Sequence, residues 1–351
     1  LDHGLAVRER QRPSPPVTPN ADSDSQSSDD KSSAEESSST TAPATTRVDS
    51  ALPFTKRLPT CITYDAETHA IVCADCSNRH APTPTGIRRG IECCSSLDRV
   101  DRDEIPIADV PVTLSESERE ASEYTDRQLC FLQAVYSAHQ GEYDLLEYDI
   151  CWDSMLRLQE YVGIESDAVQ ELVDADLLAI DCDHPHRLYT VTAEGRSEIQ
   201  AAYREGVAYG HGVGDLGEST LHRVMVEFGY RYVEDAYVED AESAVVEVVT
   251  YYELDGGHRL DVVGLDEEGE VRVVVEAERS NNDILRAVPD DYDKMAEFDP
   301  EDAIWITKNR EGAHDVLDAL NDPPTGKVRV EKTYSRSSPP QAFRLDAPGC
   351  T

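Results

Sequence analysis

The chain has 351 residues, with 71 Asp and Glu against 32 Lys and Arg and a formal net charge of -39, too acidic for an ordinary DNA-binding surface at ordinary ionic strength. Only six lysines occur, Lys31, Lys56, Lys294, Lys308, Lys327 and Lys332; this bias fits a surface built for molar salt, where the Debye length falls to about 3 Å and net charge no longer excludes nucleic acid as a partner. No stretch approaches the roughly 20 apolar residues of a membrane helix and no charged-then-apolar leader is seen, so a cytoplasmic protein without a membrane partner is expected. Leu1 in first position is read as an alternative start, processing or a fragment. The nine cysteines read as reduced thiols or metal ligands rather than a disulfide framework.

In chain order, residues 1–58 are rich in Ser, Thr, Pro, Asp and Glu and cannot bury enough apolar surface to offset chain entropy, so they read as a disordered acidic tail. A cysteine-bearing patch spans 59–97, and a polar, acidic linker is expected over 98–125. From 126 to 205 the pattern is helical, then briefly extended, then helical. Leu129, Leu132, Val135 and Tyr136 recur at helical spacing after a Thr125–Asp126 cap; Trp152, Met155, Leu156 and Gln159 mark a second helix; Val169, Leu172 and Val173 are the buried stripe of a third. Two short strands, Leu177–Ile180 and Leu188–Thr192, flank a polar turn.

A Gly-rich hinge over 206–216, containing Tyr209-Gly-His-Gly-Val-Gly214, leads to the last domain, 217–322. Its expected order is a helix from Gly217 to about Phe228, strands over 245–252, 259–265 and 271–277, a helix over 283–297, a strand over 303–307 and a helix over 312–320. Residues 323–351 read as an unstructured tail. The fold class expected is α/β, α+β over the whole chain.

Asp261 lies near the start of one strand, and Glu276 and Glu278 end the next, two residues apart and therefore on one face. A hairpin brings Asp261 near Glu276, and paired carboxylates at strand ends supply the hard oxygen ligands that Mg²⁺ uses in phosphodiester hydrolysis. With this order of elements, the runs RLDVVG and VVVEAE resemble the PD-(D/E)XK nuclease superfamily, in particular its archaeal Holliday junction resolvase and restriction-endonuclease-like branch. The resemblance implies metal ligation by Asp261 and Glu276. It also implies a lysine two residues after the acid, where Glu278 stands instead; Lys294, from the next helix, or Lys308, after the following strand, is the substitute. Glu218 is a further candidate oxygen ligand. Against this stands the plainer reading that strand-end carboxylates in so acidic a chain are solvated.

The run LVDADLLAIDCDHPHRLYTVTAEGR resembles the recognition helix, wing and closing passage of MarR-like and related archaeal winged helix-turn-helix proteins, over residues 126–205. The helix from Glu165 to Asp174 carries Glu165, Asp167, Glu171 and Asp174 and no basic residue, a poor match to phosphates and guanine edges, so DNA contact is expected from Arg157, Arg187, Arg196 and Arg204. The alternative is a winged helix used for protein contact or for a homodimer. In the cysteine patch, YDAETHAIVCADC resembles the second half of the zinc ribbon of archaeal transcription factor B, with Cys61, Cys73 and Cys76 as Zn²⁺ ligands and the fourth open among His69, His80 and Cys93, or with no metal bound. His211 and His222 read as surface or core residues. The whole implies a haloarchaeal-type DNA-associated protein from a plasmid, mobile-element or restriction context: an endonuclease, or a non-catalytic regulator on an inactive nuclease fold.

Overall fold

The computed structural model describes residues 58–107, 110, 112–184, 186–201, 217–254, 258–279, 283–321, 328 and 329, and the backbone of 345 and 346. The expected disordered tail up to residue 57, the hinge, Arg204 and His211 lie outside the described residues. Among the described residues are nine α-helices and three sheets, the mixed helix-and-sheet class expected from the sequence.

The first module is a three-stranded antiparallel sheet, β1 Ile62–Asp65, β2 Ala70–Cys73 and β3 Arg79–His80, followed by helix α1 Pro84–Glu92. Thr83 caps α1 by accepting a hydrogen bond from the Gly86 amide, and Pro84 fills the first turn, where its missing N–H costs nothing. Ile87 and Ile91 of α1 close a small core with Ile62, Ile71 and Ile105. Residues 98–107 and 112–125 differ from the solvated linker expected there. Ile105, Ile107, Val112 and Leu114 are buried and a short helix, α2 Glu116–Ala121, breaks the segment; apolar residues spaced among charges gave no periodic signal.

Helices α3 Asp126–His139, α4 Met155–Val162 and α5 Ser166–Asp174 follow, then a hairpin, β4 Leu178–Cys182 with β5 Leu188–Val191, and a short helix α6 Ala193–Glu198. A Thr125–Gln128 capping box starts α3, whose Leu129, Phe131, Leu132 and Val135 are wholly buried. Trp152 is outside α4 and 52% exposed, because the Ser154 hydroxyl accepts from the Leu156 amide and caps the helix two residues later. Gly163 in the left-handed conformation, φ 70°, ends α4.

The last domain begins with α7 Thr220–Val233, capped by Ser219, and continues into a five-stranded sheet of order β10-β9-β8-β7-β6. Here β6 is Glu247–Glu253, β7 Arg259–Leu265, β8 Val271–Glu278, β9 Asp302–Thr307 and β10 Leu345–Asp346; α8 Ile284–Ala296 and α9 Arg310–Asn321 complete the domain. β8 and β9 are parallel, joined over α8, and the other neighbours are antiparallel. β10 falls in the tail expected to be unstructured. Met225, Val226 and Val233 of α7 pack on Val262, Val273 and Val275; each valine so buried contributes about 1.5–3 kcal/mol. Val263, Val274 and Ala303 pack with Met295 of α8, and α8 meets α9 through Val288, Tyr292, Val316 and Leu317. Gly229 lets α7 lie flush on the sheet: a Cβ there would stand 3.1–3.2 Å from Val275, Ile306 and Val262.

A buried ionic network ties the three parts together. Both Arg231 guanidinium nitrogens donate to Asp149 at 2.9 Å. Asp153, four residues on, receives the Asp149 amide at 2.7 Å, Arg157 at 2.7 Å and Arg102 at 2.9 Å. Thr220, first residue of α7, bonds His139 of α3 and Thr190 of β5 at 2.9 and 3.0 Å, and Val224 belongs to the core of the helix–hairpin module.

Candidate functional site

The antiparallel register Val262↔Val275 sets the next pair, Asp261 and Glu276, side by side, close enough for the Asp261 carboxylate to raise Glu276. Asp261 Oδ2 also accepts from the Ala277 amide at 2.8 Å and meets His222 Nε2 at 3.2 Å. His222 lies on α7 with its Nδ1 3.6 Å from Glu218 Oε2, within ion-pair range but beyond hydrogen-bond reach. Glu218 sits just ahead of the Ser219 cap rather than on the helix, and Tyr251 donates to it at 2.9 Å. From the α8 side, Lys294 Nζ donates to Asp291 at 2.7 Å, and the charges of both bear on Glu276. Glu278 is 9% exposed and its Oε1 has no hydrogen-bond partner.

The protonation behaviour follows from this crowding. Glu276 is held well above the usual carboxylate range by desolvation and by the charges of Asp261 and Asp291, with Lys294 in partial opposition. Desolvation, with the charges of Asp291 and Asp261, raises Glu278 to about 7. Burial pushes His222 down, but its bond to Asp261 and the charges of Asp261 and nearby Glu218 outweigh that and lift it to about 10. His222 is therefore an imidazolium at neutral pH, a built-in counter-ion.

The charges of Asp261 and Lys294 thus bear on Glu276 and that of Asp261 on Glu278, while His222 links Asp261 to Glu218; these residues share one neighbourhood. Lys308 does not: it lines a cleft of 510 Å³ against Ile180, Asp181, Asp183 and His184 of the β4–β5 hairpin. His222, read from the sequence as a surface or core residue, and Asp291 are the groups that sequence reasoning missed. The four-residue spacing of Glu218 and His222, across the start of a helix, was the available signal; Asp291 sat unremarked in a run of acids.

The expected DNA-contacting arginines are placed otherwise. The Arg157 side chain is 10% exposed, paired with Asp153 and donating to the Arg102 and Ile105 carbonyls. Arg196 is 8% exposed and donates to the Val191 carbonyl at 2.8 Å. Both guanidiniums satisfy buried acceptors, so neither faces a ligand. Arg187, on the hairpin, keeps a third of its side chain in solvent and pairs with Asp183 at 2.6 Å.

Among the described residues only one group of three or more Cys, His, Asp or Glu brings its ligand atoms all within 4.8 Å of one another: Cys73, Cys76, Cys93 and Cys94. Cys61, expected as a ligand, is not in it. It packs instead against the isoleucine core of the first module. His69 is bonded to the Tyr64 hydroxyl, and neither it nor His80 belongs to the group.

No family model, no curated protein and no solved structure matches this chain. No helix among the described residues is long and apolar enough to cross a membrane.

Proposed function

We propose that the last domain hydrolyses phosphodiester bonds in DNA with the help of Mg²⁺. The observation that carries this reading is the carboxyl pair Asp261–Glu276 at neighbouring register positions of β7 and β8, with the charges of Asp261 and Lys294 acting on Glu276. Two carboxyls forced together hold a proton that a divalent cation can replace, and Asp261 and Glu276 would be its protein ligands. When bound, Mg²⁺ supplies Lewis-acid polarisation of a phosphoryl oxygen. Glu278, unpartnered at one oxygen and raised to about 7, suits proton transfer from an attacking water near neutral pH, in the position where the resembled superfamily has lysine. Lys294 supplies positive charge toward the phosphate.

The test is cleavage of supercoiled, linear and branched DNA by the purified chain in molar KCl with Mg²⁺ or Mn²⁺. Cutting by the wild type that disappears in Asp261→Ala and in Glu276→Ala supports the reading. Intact DNA under every condition sinks it.

A second reading, a DNA-binding regulator on an inactive nuclease fold, draws on the absence of lysine at position 278. The burial of Arg157 and Arg196 weakens the idea that the helix–hairpin module, read as a winged helix, grips DNA by those residues. It favours contact through Arg187 and the hairpin. Arg187→Ala should weaken binding to all DNA sequences alike and lower the salt dependence, as loss of a phosphate contact does; unchanged binding would remove the hairpin from the interface.

A further inference from the structure

We infer that the first module carries a structural zinc ion held by four thiolates, Cys73, Cys76, Cys93 and Cys94. A tetrahedral ion with Zn–S bonds of about 2.3 Å separates its sulfurs by about 3.8 Å. Here the four sulfur atoms all lie within 4.8 Å of one another, and Cys76 and Cys93 stand 3.3 Å apart. A disulfide would need about 2.05 Å. Four sulfurs gathered this closely, two from each of two chain segments, are the donor set of a closed zinc site.

The local chain is bent to produce this arrangement. Cys73 ends β2, and the chain turns back immediately after it, through Asp75 and Cys76. The turn is closed by Ser77 N to the Cys73 carbonyl and Cys73 N to the Asn78 carbonyl, both 2.9 Å. Ser77 takes the left-handed conformation, φ 63°, which directs the chain back into β3 and keeps both thiols on the inside of the bend. Cys93 and Cys94 arrive from the opposite direction, immediately after α1. Gly90 allows that helix to lie against the sheet, since a Cβ there would stand 3.0 and 3.3 Å from the Ile71 and Ile62 methyls. The Asn78 side-chain amide donates to Cys93 Sγ at 3.4 Å, the kind of outer hydrogen bond that steadies a metal-bound thiolate.

The ion has structural work to do. The core beneath it is built on five isoleucines, and a core of that size seldom holds a fold alone. Zinc joins the β2–β3 turn to the end of α1, the two parts that the isoleucines leave unpinned. Four protein ligands leave no open position for a substrate, so the site is not catalytic. Nothing in it depends on the carboxylate site in the last domain.

The experiment measures metal content of the full chain. The wild type, purified with reductant and freed of loose metal, is expected to hold one zinc per chain by elemental analysis. Cobalt substitution is expected to give the intense thiolate charge-transfer and tetrahedral ligand-field bands of a four-sulfur site. Cys94→Ser and Cys76→Ser should lose the ion, Cys61→Ser should keep it, and Cys76→His should retain cobalt with the spectrum of a three-sulfur, one-nitrogen site. Asp261→Ala should hold as much zinc as the wild type. Three outcomes overturn the inference: metal-free wild type, loss of zinc in Cys61→Ser with retention in Cys94→Ser, or a Cys76–Cys93 disulfide in the reductant-treated wild type. The wild-type cobalt spectrum decides the matter even if a serine variant fails to fold.

Discussion

Replacing Arg231 by Met removes both donors of the fork on Asp149 while keeping most of the aliphatic volume. Asp149 is 6% exposed and would retain one hydrogen bond, from the Cys151 amide at 3.0 Å. A carboxylate stranded in this way costs about 3–5 kcal/mol. The Arg231 side chain is itself 24% exposed, so water can follow into the space it vacates, and the expected loss lies near the lower end, about 3 kcal/mol. Arg231→Lys, a point charge that cannot fork, should cost about 1–2 kcal/mol. The double variant with Asp149→Asn should be less destabilised than the sum of the singles, since no buried charge is left behind. Denaturant unfolding in molar KCl is the assay, and the two tryptophans make it specific: Trp152 stacks edge-on against Phe228 of α7, whereas Trp305 lies parallel to Tyr292 inside the sheet domain. In the wild type both should report one transition, and in Arg231→Met the Trp152 signal should separate to lower denaturant. A surface pair would be screened under these conditions. A loss below about 1 kcal/mol with both tryptophans still coincident would refute the idea that a buried pair couples the modules.

Glu278→Gln should stabilise the metal-free protein at pH 8. The folded carboxyl is raised to about 7, so its ionisation penalty is absent below the unfolded value near 4.5, grows as pH rises and is complete above 7, reaching on the order of 3 kcal/mol; parallel wild-type and variant stability curves from pH 4.5 to 8 would defeat the argument. His222 has the same direction of shift but opposite charge. Its contribution is fully present below about 6.5 and is lost as pH rises through about 10, so His222→Gln should flatten that limb of the metal-free stability profile. Gly195→Ala places a Cβ 2.1 Å from the Leu177 carbonyl oxygen, a backbone clash that should cost about 2–3 kcal/mol, read as a lowered midpoint in the same denaturant assay.

Regular periodicity is what made the last domain legible. β7 occupies Arg259–Leu265 as expected, because a short apolar run with β-branched residues stands between two turns. α8 and β9 match within a residue or two for the same reason. Side-chain destinations were not legible. Arg157 was taken for a DNA contact because a one-dimensional pattern shows its charge and not the Asp153 carboxylate, the Ile105 carbonyl and the Arg102 carbonyl that consume its donors. Cys61 sits twelve residues before Cys73 and drew attention as a ligand by proximity in sequence. Cys94 was overlooked since only the fold brings the end of α1 beside the β2–β3 turn. His222 was missed because its partner Asp261 is 39 residues away on a strand that pairs with β8.

The two candidate metal sites differ in how their charge is balanced without metal, and that difference predicts opposite responses to chelation. In the sheet domain His222 pairs with Asp261 and lies near Glu218, Lys294 pairs with Asp291, and burial and crowding hold Glu276 toward its neutral form. The domain can therefore fold with no divalent ion, and removing Mg²⁺ should leave the Trp305 transition where it was. Among the described residues the four sulfurs have only the Asn78 amide as a side-chain donor other than one another, and the neighbouring thiols push Cys94 up to about 12, so full ionisation of the group calls for zinc. A strong zinc chelator should then loosen the first module, exposing the four cysteines to alkylation while Cys130, Cys151 and Cys182, buried elsewhere, stay protected. If chelation leaves all of them equally protected, the module holds itself together without metal, and the isoleucine core is more self-sufficient than its size suggests.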